Sequence, residues 1–380
     1  MRIVYCINSI GSGGVEQITI FKANALANIP GNQVWLIYTD LPLSGGYHHP
    51  SEKVTLIDLE IRYRENHFKF PWNIIKYYRL EGRHKKALST ALSSIQPDVV
   101  ISTGQKESRL LPSIKGRWVR LREVHLSKGW RVMRAKTHRD RIIAKLLDYR
   151  EFSGLLRRYD RIIIPTEYEK KTAWNNEKRV VVIPNPCRFN RNTVSALNQN
   201  KLLAVGRFDE GKNYSSLIRS FRLISDRFPD WTLTIVGEGD DFSSIKSLTL
   251  SLNLSDKVFF PGYISDLEKY LSDASIFVHT SLFETFGMVI VEAMSYGLPI
   301  VAYDCPYGPR SIIKDEMEGY LVPMGNEVLL ADRICSIIEK RALRQRMGNL
   351  AWEKTKCYDI DTITNRWMDL FINLVGSNKK

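Results

Sequence analysis

Short runs of aliphatic and β-branched residues recur along the chain, most of them followed by a polar or glycine-bearing turn and a stretch with helical spacing. Runs at Arg2–Ile7, Gln33–Tyr38, Val54–Asp58 and residues 98–102, 118–124, 161–165 and 180–183 predict strands of a first sheet. After Pro184-Asn-Pro186, where two prolines enforce extended backbone, the pattern restarts with runs at 202–206, 231–236, 258–261, 276–279 and 299–302. Helical spacing falls at 18–27, from Tyr214 onward, and at 286–296, 331–340, 344–354 and 362–375. Strand, helix and strand joined by so short a crossover form a βαβ unit of a parallel sheet. The chain of 380 residues therefore reads as two α/β domains, residues 1–184 and 185–357, with a C-terminal helix at about 358–380.

The densest chemistry lies in residues 274–303, ASIFVHTSLFETFGMVIVEAMSYGLPIVAY. Parallel sheets bind ligands beyond the carboxyl ends of their strands, where the next helix starts. Phe286 and Gly287 stand at that start, followed by Met288 and Val289, and the unpaired N–H groups of a first turn suit a phosphate. Glu284 precedes the helix and Glu292 lies in its second turn, so two acids flank the same place. Acids beside a phosphate are tolerable if they accept hydrogen bonds from hydroxyls of the same ligand. A nucleotide sugar carries that combination. An isolated pair of glutamates fits a solvated helix equally well, but Phe286, Met288, Val289, Ile290 and Val291 surround this one with apolar residues.

Three other places carry candidate chemistry. Ile10-Gly-Ser-Gly-Gly-Val-Glu16 follows the first strand, and Gly13 and Gly14 there would let backbone approach a ligand, or simply make a tight turn. Arg207 and Lys212 share the loop after the strand at 202–206, as a forked and a point cation for phosphate oxygens or as ordinary surface charges. His125 ends the strand at 118–124, where most lone histidines are structural.

Glu284-Thr-Phe-Gly-Met-Val-Ile-Val-Glu292 resembles the Glu-x7-Glu signature of retaining glycosyltransferases of the GT4 type, and the likeness extends through most of the chain. The resemblance implies the GT-B fold, two Rossmann-like doubly wound parallel-sheet domains facing a cleft, with the last helix crossing back to the first domain. It implies that Gly13 and Gly14 face the donor diphosphate, that Arg207 and Lys212 clamp it, and that backbone near Gly262 and Tyr263 holds the base. Glu292 is then expected to accept from ribose hydroxyls, Glu284 from the transferred sugar, and His125 to touch that sugar. Residues 304–310, Asp-Cys-Pro-Tyr-Gly-Pro-Arg, are similar to bacterial members that use UDP-linked hexoses or N-acetylhexosamines. The implied activity is retaining transfer, by a front-side route, from such a donor to a glycan or lipid-linked acceptor. A nucleotide-sugar epimerase of the same fold is the alternative.

Composition narrows the partners. Residues 1–186 hold 32 Lys+Arg and 17 Asp+Glu, whereas 187–380 hold 23 and 24, so the first half carries the whole net charge of +14. An anionic partner is expected for that half: acidic membrane surface, anionic lipid-linked substrate or nucleic acid. No nucleic-acid motif appears, which leaves a basic nucleic-acid-binding protein the least favoured reading. Aromatics and cations interleave from Ile61 to Lys86, including Phe68, Lys69, Phe70, Trp72, Lys85 and Lys86, suggesting a patch for acidic lipid or the wet side of a core helix. Residues 128–158 are also basic and amphipathic. Five scattered cysteines argue for a reducing compartment and against a zinc site. The first residues are too quickly broken by polar positions for a secretory signal, and no run is long enough to span a bilayer. The expectation is a cytoplasmic enzyme, peripheral at most to the inner face of the membrane. No cofactor or metal is expected, because the one Asp-x-Asp, Asp359-Ile-Asp361, sits in a helical region where a helix-capping role suffices.

Overall fold

The computed structural model describes residues 1–11, 13–41, 48–66, 73–104, 106–135, 137–154, 156–187 and 193–378. The chain divides into two units, Met1–Pro165 with Glu169–Ile183 and Ile363–Lys380, and Thr166–Tyr168 with Pro184–Thr362.

The first unit is built on strands β1 (Arg2–Ile7), β2 (Gln33–Tyr38), β3 (Val54–Asp58), β4 (Val99–Ser102), β5 (Val119–Glu123), β6 (Arg161–Ile164) and β7 (Val180–Val182). They lie in the order β3-β2-β1-β4-β5-β6-β7, every pair parallel. β1 and β4 are buried along nearly their whole length, which is why they read as unbroken apolar runs. The second unit holds β8 (Lys201–Val205), β9 (Thr232–Val236), β10 (Val258–Phe259), β11 (Ile276–His279), β12 (Ile300–Tyr303) and β13 (Gly319–Val322), in the order β10-β9-β8-β11-β12-β13 and again all parallel. In each sheet the strand order reverses once, between β1 and β4 and between β8 and β11. A doubly wound sheet opens a crevice for ligands at such a reversal.

The last helix, Ile360–Asn378, sends Ile363, Trp367 and Phe371 into the core of the first unit with Ile3, Tyr5 and Val34. Arg366 donates to the carbonyl of Val182 at 2.9 Å. Several helices start elsewhere than their spacing suggests: those expected at 331, 344 and 362 begin at Glu327, Arg341 and Ile360, and the two glycine-bearing turns shift two more. The first runs Gly14–Ala27 and so begins in the glycine turn, while the second begins at Met288 and not at Phe286, because Gly287 adopts φ +98° as its cap. β13 carries no apolar alternation that marks it in the sequence; its Gly319 is needed because a Cβ there would overlap the carbonyl of Ile300. Cys6, Cys187, Cys305 and Cys335 are buried and Cys357 is exposed. No helix among the described residues is long and apolar enough to cross a membrane.

Candidate active site

The reversal in the second sheet puts the loops after β8 and β11 side by side. The β8 loop is pinned by Phe208, fully buried against the rings of Tyr214, Phe242 and Phe260. Close backbone approach holds it from the other side: a Cβ on Gly237 or Gly239 would overlap the carbonyl of Gly206 or Phe208. Phe208 donates to the carbonyl of Glu238 at 2.8 Å, and Gly237 to that of Gly262 at 2.9 Å. Gly262 has φ +81°, and the amide of Tyr263 donates to Glu238 Oε1 at 3.3 Å. The loops after β8, β9 and β10 thus form one hydrogen-bonded rim.

Lys212 leaves that rim and pairs directly with Glu284 Oε1 on the β11 loop. Leu282 donates to the carbonyl of Gly211 at 2.8 Å, and Thr280 Oγ1 to that of Lys212 at 3.0 Å, so main-chain bonds fix the two loops together. Ser281 Oγ donates to Glu284 Oε1 at 3.2 Å, and His279 Nε2 lies 3.3 Å from the same oxygen. Burial pushes the Glu284 carboxyl up, but Lys212 and His279 outweigh it and hold the group well below the usual carboxylate range. The same pairing overcomes the burial that would lower Lys212, leaving its ammonium above its ordinary value. Burial holds the His279 imidazole below its ordinary value against the opposing pull of Glu284. The Tyr214 hydroxyl is buried beside Lys212 without a hydrogen-bond partner in the structure, an open polar position at the edge of the pair.

Glu292 contrasts with Glu284. No cation compensates its burial, which pushes its carboxyl up to about 7. Val291 and Ala293 beside it are core residues. The Phe286 side chain is buried against Tyr358, so only its backbone is left for a ligand. Gly308 donates to the carbonyl of Glu284 at 2.9 Å, and a Cβ there would overlap the carbonyl of Phe286, so the turn after β12 fastens the start of the helix Met288–Ser295. Arg207 is brought to the same rim but not to the pair: it is exposed, with Nη2 at 3.8 Å from Asp240.

The other candidates belong to the first unit. Gly13 caps the helix Gly14–Ala27, its carbonyl accepting from Gln17 at 2.9 Å, and Gly14 has open space where a Cβ would stand. His125 lies just past β5 with Nε2 at 3.5 Å from Glu123 Oε1, and burial pushes its imidazole down to about 4 against the opposing pull of Glu123. Glu123 in turn pairs with the buried Lys22. In the basic segment at 61–86, Phe68, Lys69, Phe70 and Trp72 lie outside the described residues. The helix Ile74–Ile95 buries Leu80, Leu88 and Leu92, while Lys85 and Lys86 are exposed.

Sequence reasoning missed His279, Glu123 and Lys22. A histidine ending a strand at the β11 turn was a legible signal, since the same rule picks out His125. Lys22 carried none, because a lysine inside an apolar helix looks like a residue on its wet side.

Residues 188–354 match the family model described as glycosyl transferases group 1. The second unit is a glycosyltransferase group 1 domain. The chain is accordingly a glycosyltransferase enzyme. It is 26% identical over 372 residues to an uncharacterized glycosyltransferase of Haemophilus influenzae, covering 96% of this chain and 98% of that one. It is 32% identical over 164 residues to a Campylobacter jejuni transferase named for adding 4-alpha-N-acetylgalactosamine to a diphospho-undecaprenol-linked sugar, covering 43% and 44% of the two chains. The fold of the chain is that of the GT-B glycosyltransferases among the solved structures; Anabaena HepE in complex with UDP matches it with a TM-score of 0.76 at 18% identity, over 98% of this chain and 100% of that one.

Proposed function

We propose that the enzyme moves a hexose or N-acetylhexosamine, with retention, from a UDP-linked donor to a glycan or lipid-linked acceptor. The observation that carries this reading is the Lys212–Glu284 pair, which joins the β8 and β11 loops at the point where the sheet order reverses. A ligand seated there exchanges the pair for its own groups: a diphosphate for Lys212 and sugar hydroxyls for Glu284. Glu292, short of a cation, accepts from ribose hydroxyls. Gly13 and Gly14 serve the diphosphate and His125 the transferred sugar.

In the reaction the bond from the anomeric carbon to the diphosphate breaks and one to the acceptor oxygen forms on the same face, while the acceptor proton passes to the departing phosphate oxygen. Charge grows on that diphosphate. Lys212 and the amides of 286–289 are fixed before it develops, the arrangement that lowers such barriers most, and the exposed Arg207 turns in from the rim once the diphosphate is bound. These cations do what a metal does in other transferases, so the scheme includes none. The relatives' names and the neighbour bound to UDP support the choice of donor.

Thermal unfolding with a panel of UDP- and GDP-sugars tests the reading, since a ligand at a hundred times its Kd stabilises by about 2.7 kcal/mol. A rise in Tm with one UDP-sugar, and UDP release only when an acceptor is added, is the expected result. If no nucleotide sugar raises Tm, the reading fails.

A further inference from the structure

The helix His138–Tyr149 packs against the chain through Ala144 and Asp148 alone. Its large apolar residues point the other way: Ile142, Ile143, Leu146, Leu147 and Tyr149 are between 46% and 70% exposed. At helical spacing Ile142, Leu146 and Tyr149 form one line, with Ile143 and Leu147 beside it, on the side away from the two buried positions. This inverts an ordinary surface helix, and so large an exposed apolar stripe marks an interaction face.

The charge around the stripe says what covers it. Arg139, Arg141, Lys145 and Arg150 are all exposed on the same helix or at its end. From Lys128 to Arg158 the chain has ten Lys or Arg against three Asp or Glu. Two of those acids are already used, because Arg131 reaches Asp148 at 2.7 Å and Glu151 at 2.5 Å. The preceding short helix, Trp130–Arg134, adds an exposed Met133, and Trp130 lies under the guanidinium groups of Arg131 and Arg134. Two copies meeting through this face would bring cation against cation. An anionic bilayer offers acyl chains for the stripe and headgroups for the cations, the pairing that interfacial helices use.

We propose that the helix His138–Tyr149 docks the enzyme on an anionic lipid surface, lying in the interface plane with Ile142, Leu146 and Tyr149 inserted. The contact does not depend on which donor is used.

Flotation of the full chain with phosphatidylcholine vesicles, with and without phosphatidylglycerol, tests it. Binding is expected only with the anionic lipid, weakening as salt rises, with a blue shift of tryptophan emission from Trp130. The double substitution Ile142→Glu/Leu146→Glu should reduce partitioning at least about tenfold, and Ile142→Ser/Leu146→Ser by less, both with unchanged Tm and unchanged protection by UDP. The inference is overturned if the wild-type chain does not float, if the double glutamate variant floats equally well, or if sedimentation shows a dimer that this variant dissociates. Absence of UDP protection in the wild-type chain would defeat the donor reading and leave a positive flotation result standing.

Discussion

Each unit contains a lysine, a glutamate and a histidine gathered around one carboxylate oxygen. In the first unit Lys22 and His125 approach Glu123; in the second Lys212 and His279 approach Glu284. The chemistry is the same and the surroundings differ. The Lys22 and Glu123 side chains are 2% and 6% exposed, and the ammonium sits 5.1 Å from the ring of Trp367 and 5.8 Å from that of Tyr5. Lys212 and Glu284 are 22% and 16% exposed, on loops that open past the strand ends. Burial therefore wins for Lys22, whose ammonium is held below its ordinary value, whereas pairing wins for Lys212. A sealed ion pair such as Lys22–Glu123 can only hold elements together and steady the half-buried His125 beside it. One at the edge of solvent can be exchanged for a ligand. Residue types alone do not separate a brace from a binding site; access does.

The sharpest way to break this contrast is to remove each lysine. Lys22→Ala leaves Glu123 buried without its partner and should cost about 3–5 kcal/mol of unfolding free energy, read from a denaturant midpoint. Lys212→Ala should cost far less stability, since water can reach Glu284, but lower kcat/KM about 100- to 1,000-fold. If both variants lose stability equally while the second retains turnover, the second cluster is also a brace.

The two glutamates of the second unit sharpen the picture through pH. Glu284 is held below its unfolded value near 4.5, so its contribution to stability is complete above that value and is lost as acid is added. Glu292 is raised to about 7, so the folded protein keeps a proton that the unfolded chain releases, and stability falls as pH rises from 4.5 to 7. Glu292→Gln should flatten that fall in a series of Tm measurements. It should also abolish a rise in UDP-sugar affinity centred near pH 7, because only the ionised carboxylate accepts from both hydroxyls. The smallest effect expected is none: excess chelator should leave turnover unchanged, within about twofold, if Lys212 and Arg207 carry the charge that a metal would.

Most strands were legible because buried parallel strands are continuous apolar runs. The turn between Glu284 and Glu292 was legible because glycine and two acids break such a pattern. Helix starts were less so. Gly287 takes a left-handed conformation and delays its helix to Met288, while the glycine pair at 13–14 begins one early. The spacing in 138–149 shows that a face exists, yet not that Ala144 and Asp148, the smaller and the charged residue, make the inward contact. Glu123 was out of reach for a related reason: its significance comes from Lys22, distant in sequence and brought near by the fold.

Trp367 and Phe371 complete a core begun by Ile3 and Tyr5, so the first unit cannot close until residues 363–371 have been translated. The interior of the second unit is finished earlier, and during synthesis it folds while the amino-terminal half still waits for its missing wall. A premature stop just ahead of Ile363 would thus spare the second unit and ruin the half made first.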